Sequence, residues 1–199
     1  MRQATYSGAI TAEQFLFHEM RITARFYMDG ASIEAAVHAV KQNNLFQYPT
    51  ERMVPRMVRT CYKRLEALGN ESLRRELLEA PQEDARQISL YAMMRYNRLV
   101  WEFMTGVIGE KYRSRDFTFS RKDLNIFFSR LQGQNDEIAG WSETTIIKIK
   151  QVLAKCLVGA GMLDTAKAEY LIPILICKEL EAGIWENGDY EALAAFNCF

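Results

Sequence analysis

The chain has 199 residues, 49% of them hydrophobic and 25% charged, a balance that supports a packed core and excludes a disordered or fibrous chain. Lys+Arg and Asp+Glu are equal at 25 each, so no global field directs the protein to nucleic acid or to a membrane. The balance is uneven along the chain: residues 1–115 hold 17 Lys/Arg against 13 Asp/Glu, and residues 116–199 hold 8 against 12.

The longest uninterrupted apolar run is Tyr170–Cys177, which contains Pro173, whereas a membrane span needs roughly 20 such residues. The start of the chain lacks the apolar stretch of a secretory leader. The four cysteines, Cys61, Cys156, Cys177 and Cys198, share no C-x-x-C spacing. Together these features predict a reduced, cytoplasmic protein with structural thiols. Only 4 prolines and 11 glycines punctuate the sequence, and apolar residues recur mostly at three- and four-residue spacing, which predicts an all-α protein.

In chain order, a first helix is expected from about Thr11, with Gln14 completing a capping box, to Met28 before Asp29-Gly30. Ser32 caps a shorter helix to about Asn43, and the turn Asn44–Pro49 follows. A third helix ends at Leu68, starting either at Thr50 or, since proline lacks a backbone N–H, at Pro55. A short helix over residues 71–80 stops at Pro81. The next, Glu83 to Ile108, is apolar around most of its circumference and should be central and buried. The polar, aperiodic stretch Gly109–Ser120 suggests two helical domains, 1–112 and 113–199. The second unit reads as a helix (Arg121–Leu131), a short helix (Asn135–Ala139), a turn at Gly140-Trp141 and a long helix (Ser142–Ala160). An extended, β-branched stretch around Tyr170–Ile176 and two short helices close the chain. This order fits a winged helix-turn-helix, and a plain helical bundle fits it as well.

At 100° per residue, Ile146, Ile149, Val152, Leu153, Cys156, Leu157 and Ala160 share one face of the 142–160 helix. Thr144, Lys148, Gln151 and Lys155 share the opposite face, with no acid among them. An apolar back with a cationic, amide-bearing front is what a major-groove reader needs, and also what an ordinary solvated face can look like. The third helix repeats the pattern, with Arg52, Arg56, Arg59 and Lys63 opposite Val54, Met57, Cys61 and Leu65. Lys111, Arg113, Arg115, Arg121 and Lys122 add a basic cluster opposed only by Asp116. Gln14, His18, Arg21 and Arg25 form a narrow stripe on the first helix, which either faces solvent or pairs with core carboxylates such as Glu102. Arginine predominates in these stripes, and its planar fork suits phosphate.

Enzymatic signatures are weak. His18-Glu19 opens like a zinc-protease helix, but Ile22 stands where the second histidine is required. Glu34 and His38 lie one turn apart without a second such pair for a di-metal site, and His38 reads as an ordinary half-buried residue. Gly159-Ala160-Gly161 follows a helix and lacks a third glycine, unlike a dinucleotide loop. No catalytic residue, metal ligand or cofactor is predicted, and Trp141 is expected to pin its turn to the core.

Three segments carry a family resemblance: Tyr6-Ser7-Gly8-Ala9-Ile10 leading into a helix with Glu19-Met20-Arg21, the turn Asn44-Leu45-Phe46-Gln47, and the helix start Trp141-Ser142-Glu143-Thr144-Thr145. In these, and in length and element order, the chain resembles BrxA, the small helical subunit of BREX bacteriophage-exclusion systems. The resemblance implies a cytoplasmic, all-helical bacterial defence protein with a likeness to the RNA-binding antitermination factor NusB. It also implies double-stranded DNA binding and work beside the system's methyltransferase and other subunits. It assigns no catalytic residue. Three expectations follow: a non-enzymatic duplex-DNA binder using the basic faces; an RNA binder using the N-terminal stripes (Arg21, Arg25, Arg52, Arg56, Arg59); or a protein adaptor docking through Trp185 and the acidic residues Glu179, Glu181, Glu186, Asp189 and Glu191.

Overall fold

Residues 5–199 are described by the computed structural model, and eleven α-helices dominate them: α1 (Phe17–Met28), α2 (Ile33–Gln42), α3 (Val54–Ala67), α4 (Glu71–Glu79), α5 (Gln82–Tyr96), α6 (Arg98–Phe103), α7 (Gly109–Arg113), α8 (Arg121–Gln134), α9 (Asp136–Ala139), α10 (Glu143–Gly159) and α11 (Lys178–Glu186). Short 3₁₀ turns occupy Gly8–Thr11, Glu51–Met53 and Tyr190–Phe196. Side-chain caps set many of the helix starts, satisfying N–H groups that have no partner inside the helix. Ser32 accepts from the Ala35 N–H, Asn70 from Leu73 and Ser142 from Thr145. Ser120 and Asp123 cap α8 reciprocally.

α1 starts six residues later than the Thr11 capping box predicts. The carbonyls of Glu13, Gln14 and Phe15, which a helix would pair with N–H groups four residues on, accept instead from the Arg64 guanidinium at 2.6, 2.9 and 3.0 Å. Leu16 then turns the chain in the left-handed region, at φ 55°. The alternative starts of α3 at Thr50 and Pro55 are both realised: a 3₁₀ turn over Glu51–Met53, then α3 with Pro55 in its first turn.

The long helix expected over 83–108 is interrupted at Asn97, whose extended backbone ends α5 while its side chain caps α6. A π-helical turn, Met104–Ile108, then carries the chain into α7 and so extends the helical run to Arg113, through residues read as a boundary. α5 is the central element, buried without interruption from Gln87 to Met94.

A large apolar core centred on α5 draws on both halves of the chain, from Ile10, Leu65 and Leu77 to Phe128, Leu153, Ile184 and Phe196. A smaller core joins α2 and the start of α3 through Val40, Phe46, Met57, Val58 and Tyr62. Trp141 packs partly buried against the large core, as predicted for a turn-pinning residue. The helices α8, α9 and α10 follow the expected order. Among the described residues no strand forms: the segments before α8 and after α10 meet at one antiparallel bridge, Thr118 with Tyr170. Two hydrogen bonds hold it, from the Phe119 N–H to the Glu169 carbonyl (2.8 Å) and from the Leu171 N–H to the Phe117 carbonyl (2.7 Å).

No helix among the described residues is long and apolar enough to cross a membrane. All four cysteines are free thiols. Cys61 and Cys156 are buried, Cys177 and Cys198 half-buried.

Candidate nucleic-acid interface

α10 presents the two faces its spacing predicts. Ile149, Val152, Leu153, Cys156 and Leu157 are buried, while Thr144, Lys148, Gln151 and Lys155 are exposed. Neither Lys148 nor Lys155 has a carboxylate partner among the described residues. Ile147, 47% exposed, sits beside Lys148 and gives the ridge an apolar contact that periodicity had not flagged. On α3 and the turn before it, Arg52, Arg56, Arg59 and Lys63 are likewise exposed over a buried back. Arg56 is partly engaged, since its Nη2 donates to Glu13 Oε1 at 3.4 Å.

A groove of about 500 Å³ lies between α10 and the start of α3, with Lys155 the ridge cation that lines it. Lys155 of α10 forms one wall, Thr50, Met53 and Met57 the other, and Phe15 and Leu16 part of the lining between. The N-terminal segment that α10 packs against supplies the link: a Cβ on Gly159 would lie 2.4 Å from the Phe15 ring, so only glycine permits this approach. Arg64, only 1% exposed, anchors the same segment from α3 through its three carbonyl hydrogen bonds. Burial pulls its guanidinium below the ordinary arginine value. Sequence reasoning missed Arg64, because helical periodicity places it near the edge of the apolar face and says nothing of the carbonyls it meets.

The basic cluster at 111–122 divides. Arg115, Arg121 and Lys122 are exposed and free of carboxylate partners among the described residues. Lys111 is different: its ammonium lies 2.9 Å from Asp116 and 3.0 Å from Asp123, with the side chain 12% exposed. Burial alone would lower its pKa, but hydrogen bonds to the two carboxylates outweigh that and raise it. Asp116 is held down to about 2, first by the Thr118 hydroxyl and then by Lys111. Arg113 pairs with Glu110 at 2.6 Å. The cluster is therefore opposed by Glu110 and Asp123 as well as by Asp116, because one helical turn and the α8 capping box bring those acids alongside. Arg130, exposed on α8 and not singled out from sequence, adds a cation with no ion pair among the described residues. The exposed face of α8 adjoins α10 where Lys150 Nζ donates to Asn125 Oδ1 at 2.8 Å.

The stripe on α1 serves the fold in part. Arg21 donates to the Leu78 carbonyl at 2.6 Å, and Arg25 is exposed. Glu102, the acid expected to pair with them, instead accepts from the Tyr6 hydroxyl and from Arg98. His38 is exposed, not half-buried, and so is Glu34.

The comparisons with known proteins agree with this fold. The family model BrxA matches residues 4–188. A BREX protein BrxA from Bacillus cereus (strain H3081.97) is 31% identical over 84% of this chain and 83% of its own length. Proteins of the same description from Paramagnetospirillum magneticum (strain ATCC 700264 / AMB-1) and Escherichia coli O9:H4 (strain HS) are 21% and 20% identical, over 95% and 94% of this chain and 94% and 87% of theirs. A crystal structure of an uncharacterized protein from Magnetospirillum magneticum superposes with a TM-score of 0.81, covering 96% of this chain and 97% of that one at 19% identity, which shows a shared fold. The chain belongs to the BrxA family.

Proposed function

We propose that this protein is a non-catalytic component of a BREX bacteriophage-defence system that binds double-stranded DNA through its α3 and α10 ridges. The observation that carries the reading is the pair of solvent-facing cation rows on α3 and α10, each over a buried apolar back. Arg52, Arg59, Lys63, Lys148 and Lys155 are exposed and form no ion pair among the described residues. A merely solvating surface mixes charge signs; rows of one sign with buried backs suit a polyanion. Arg115, Arg121, Lys122 and Arg130 extend the cationic surface. Lysines and arginines outnumber amide and apolar base readers on these ridges, so sequence preference is weak. The BREX name of the relatives supports a place beside other subunits of such a system.

Fluorescence anisotropy with a labelled 20-base-pair duplex, titrated at several salt concentrations and competed with structured RNA, tests this. Binding at low salt that weakens steeply with added salt is expected. Absence of binding at low salt, or a flat salt response, refutes the reading, and stronger competition by RNA moves it to that polyanion. An adaptor role has one observation of its own: Trp185, 54% exposed, rests against Tyr190 with ring centroids 4.8 Å apart, on the acidic C-terminal side. Co-purification with other subunits after nuclease treatment would favour that role.

A further inference from the structure

The groove beside Lys155 has a chemistry that phosphate binding does not use. Its lining is apolar and aromatic, with Phe15, Leu16, Met57 and the side of Tyr48, yet it also holds the half-buried carboxylate of Glu19. Glu19 Oε1 accepts from the Tyr48 hydroxyl at 2.6 Å. Its other oxygen has no hydrogen-bond partner among the described residues, and burial together with this bond raises the Tyr48 phenol above its ordinary value. Lys155 stands in the wall, and Arg52 occupies the turn beside Met53.

A cationic rim repels a basic peptide, and a carboxylate inside repels an anionic group that enters deeply. A neutral, flat heterocycle that carries a hydrogen-bond donor inward and a phosphate outward satisfies both. Aromatic walls stack on such a ring, and about 500 Å³ is within the range of small-ligand sites. We infer that the groove accepts one unpaired nucleobase of the nucleic acid lying on the ridges, with the Glu19 carboxylate taking the exocyclic amine of adenine, cytosine or guanine. Thymine is disfavoured because its one ring N–H lies between two carbonyl oxygens that a carboxylate repels. The inference rests on the nucleic-acid reading above and adds a base-binding subsite to it.

The test compares labelled duplexes with equal numbers of phosphates: fully paired, with a central adenine opposite an abasic site, and with a central thymine opposite an abasic site. At fixed moderate salt the adenine-abasic duplex should bind about tenfold more tightly than the paired one, the gain expected of one stacked base, with thymine gaining less. Met53→Trp, at a position 38% exposed, fills the groove and should erase that gain, read as the ratio of adenine-abasic to paired-duplex affinity in the same variant. Glu19→Gln should erase the difference between adenine and thymine. Equal affinities for the three duplexes, or a gain that survives Met53→Trp, overturn the subsite while leaving duplex binding standing. No binding of any duplex at low salt overturns both.

Discussion

Free and paired cations should differ in the salt dependence of binding, and Lys148 and Lys155 measure that difference most directly. If Arg52, Arg59, Lys63, Lys148 and Lys155 each neutralise one phosphate of B-form DNA, log K falls against log salt with a slope of about −4.5, and affinity drops about 500-fold between 50 and 200 mM salt. Lys148→Ala with Lys155→Ala leaves three contacts, a slope of about −2.7 and a drop of about 40-fold over the same range. Both lysines are exposed and unpaired, so the melting temperature should move by no more than about 2 °C. Arg113→Ala is the control, because Arg113 already shares its charge with Glu110 at 2.6 Å; its slope should stay within about 0.3 of the parent. Anisotropy titrations at four salt concentrations, with calorimetry on each variant, supply the data. A double variant with the parent slope, or an Arg113 variant that loses as much, refutes the distinction between free and paired cations on which the proposal stands.

Further outcomes concern what holds the interface together. Arg64→Met strands three carbonyls at residues 13–15, those of Glu13 and Phe15 in buried bonds, and should destabilise the protein by about 2–4 kcal/mol in urea titration; a change below about 0.5 kcal/mol would show that those bonds add little. Gly159→Ala forces a Cβ to within 2.4 Å of Phe15 and should cost about 1–3 kcal/mol, read as a lowered urea midpoint with an unchanged slope. Burial pushes the Cys61 and Cys156 thiols up to about 12 from an ordinary value of 9.0. Because the unfolded thiols ionise first as pH rises, the stability they contribute is complete below about pH 9 and is lost between about 9 and 12. Melting temperature should therefore fall across that window, and Cys61→Ala with Cys156→Ala should flatten the fall; an equal decline in the variant would assign it to other groups.

The helical class, the Ser32 cap and both cationic ridges were legible in the sequence, because they are local properties. Ser32 caps α2 through the Ala35 N–H three residues away, and a 3.6-residue period sorts α3 and α10 into buried and exposed faces without reference to any neighbour. Where local rules competed with distant partners, the reading slipped. The Thr11 capping box lost to Arg64, 50 residues beyond Gln14, which takes the carbonyls the helix would need. Asn97 capped a new helix inside an apolar run that looked continuous.

The cations at 111–122 show the same limit at the interface. Five basic residues close in sequence were read together, yet Lys111 is closed between Asp116 and Asp123 while Arg115, Arg121 and Lys122 remain open. A charge is available to a ligand only if no carboxylate reaches it first, and that depends on where the folded backbone brings the acids. One-dimensional periodicity established that α3 and α10 each carry a cationic front and an apolar back. Only the packing of residues 8–16 between them, with Gly159 against Phe15 and Arg64 on the carbonyls, decided that Lys155 of α10 and Met57 of α3 line one groove. Long-range burial places helices relative to one another, and it does so through contacts that no spacing along a single helix encodes.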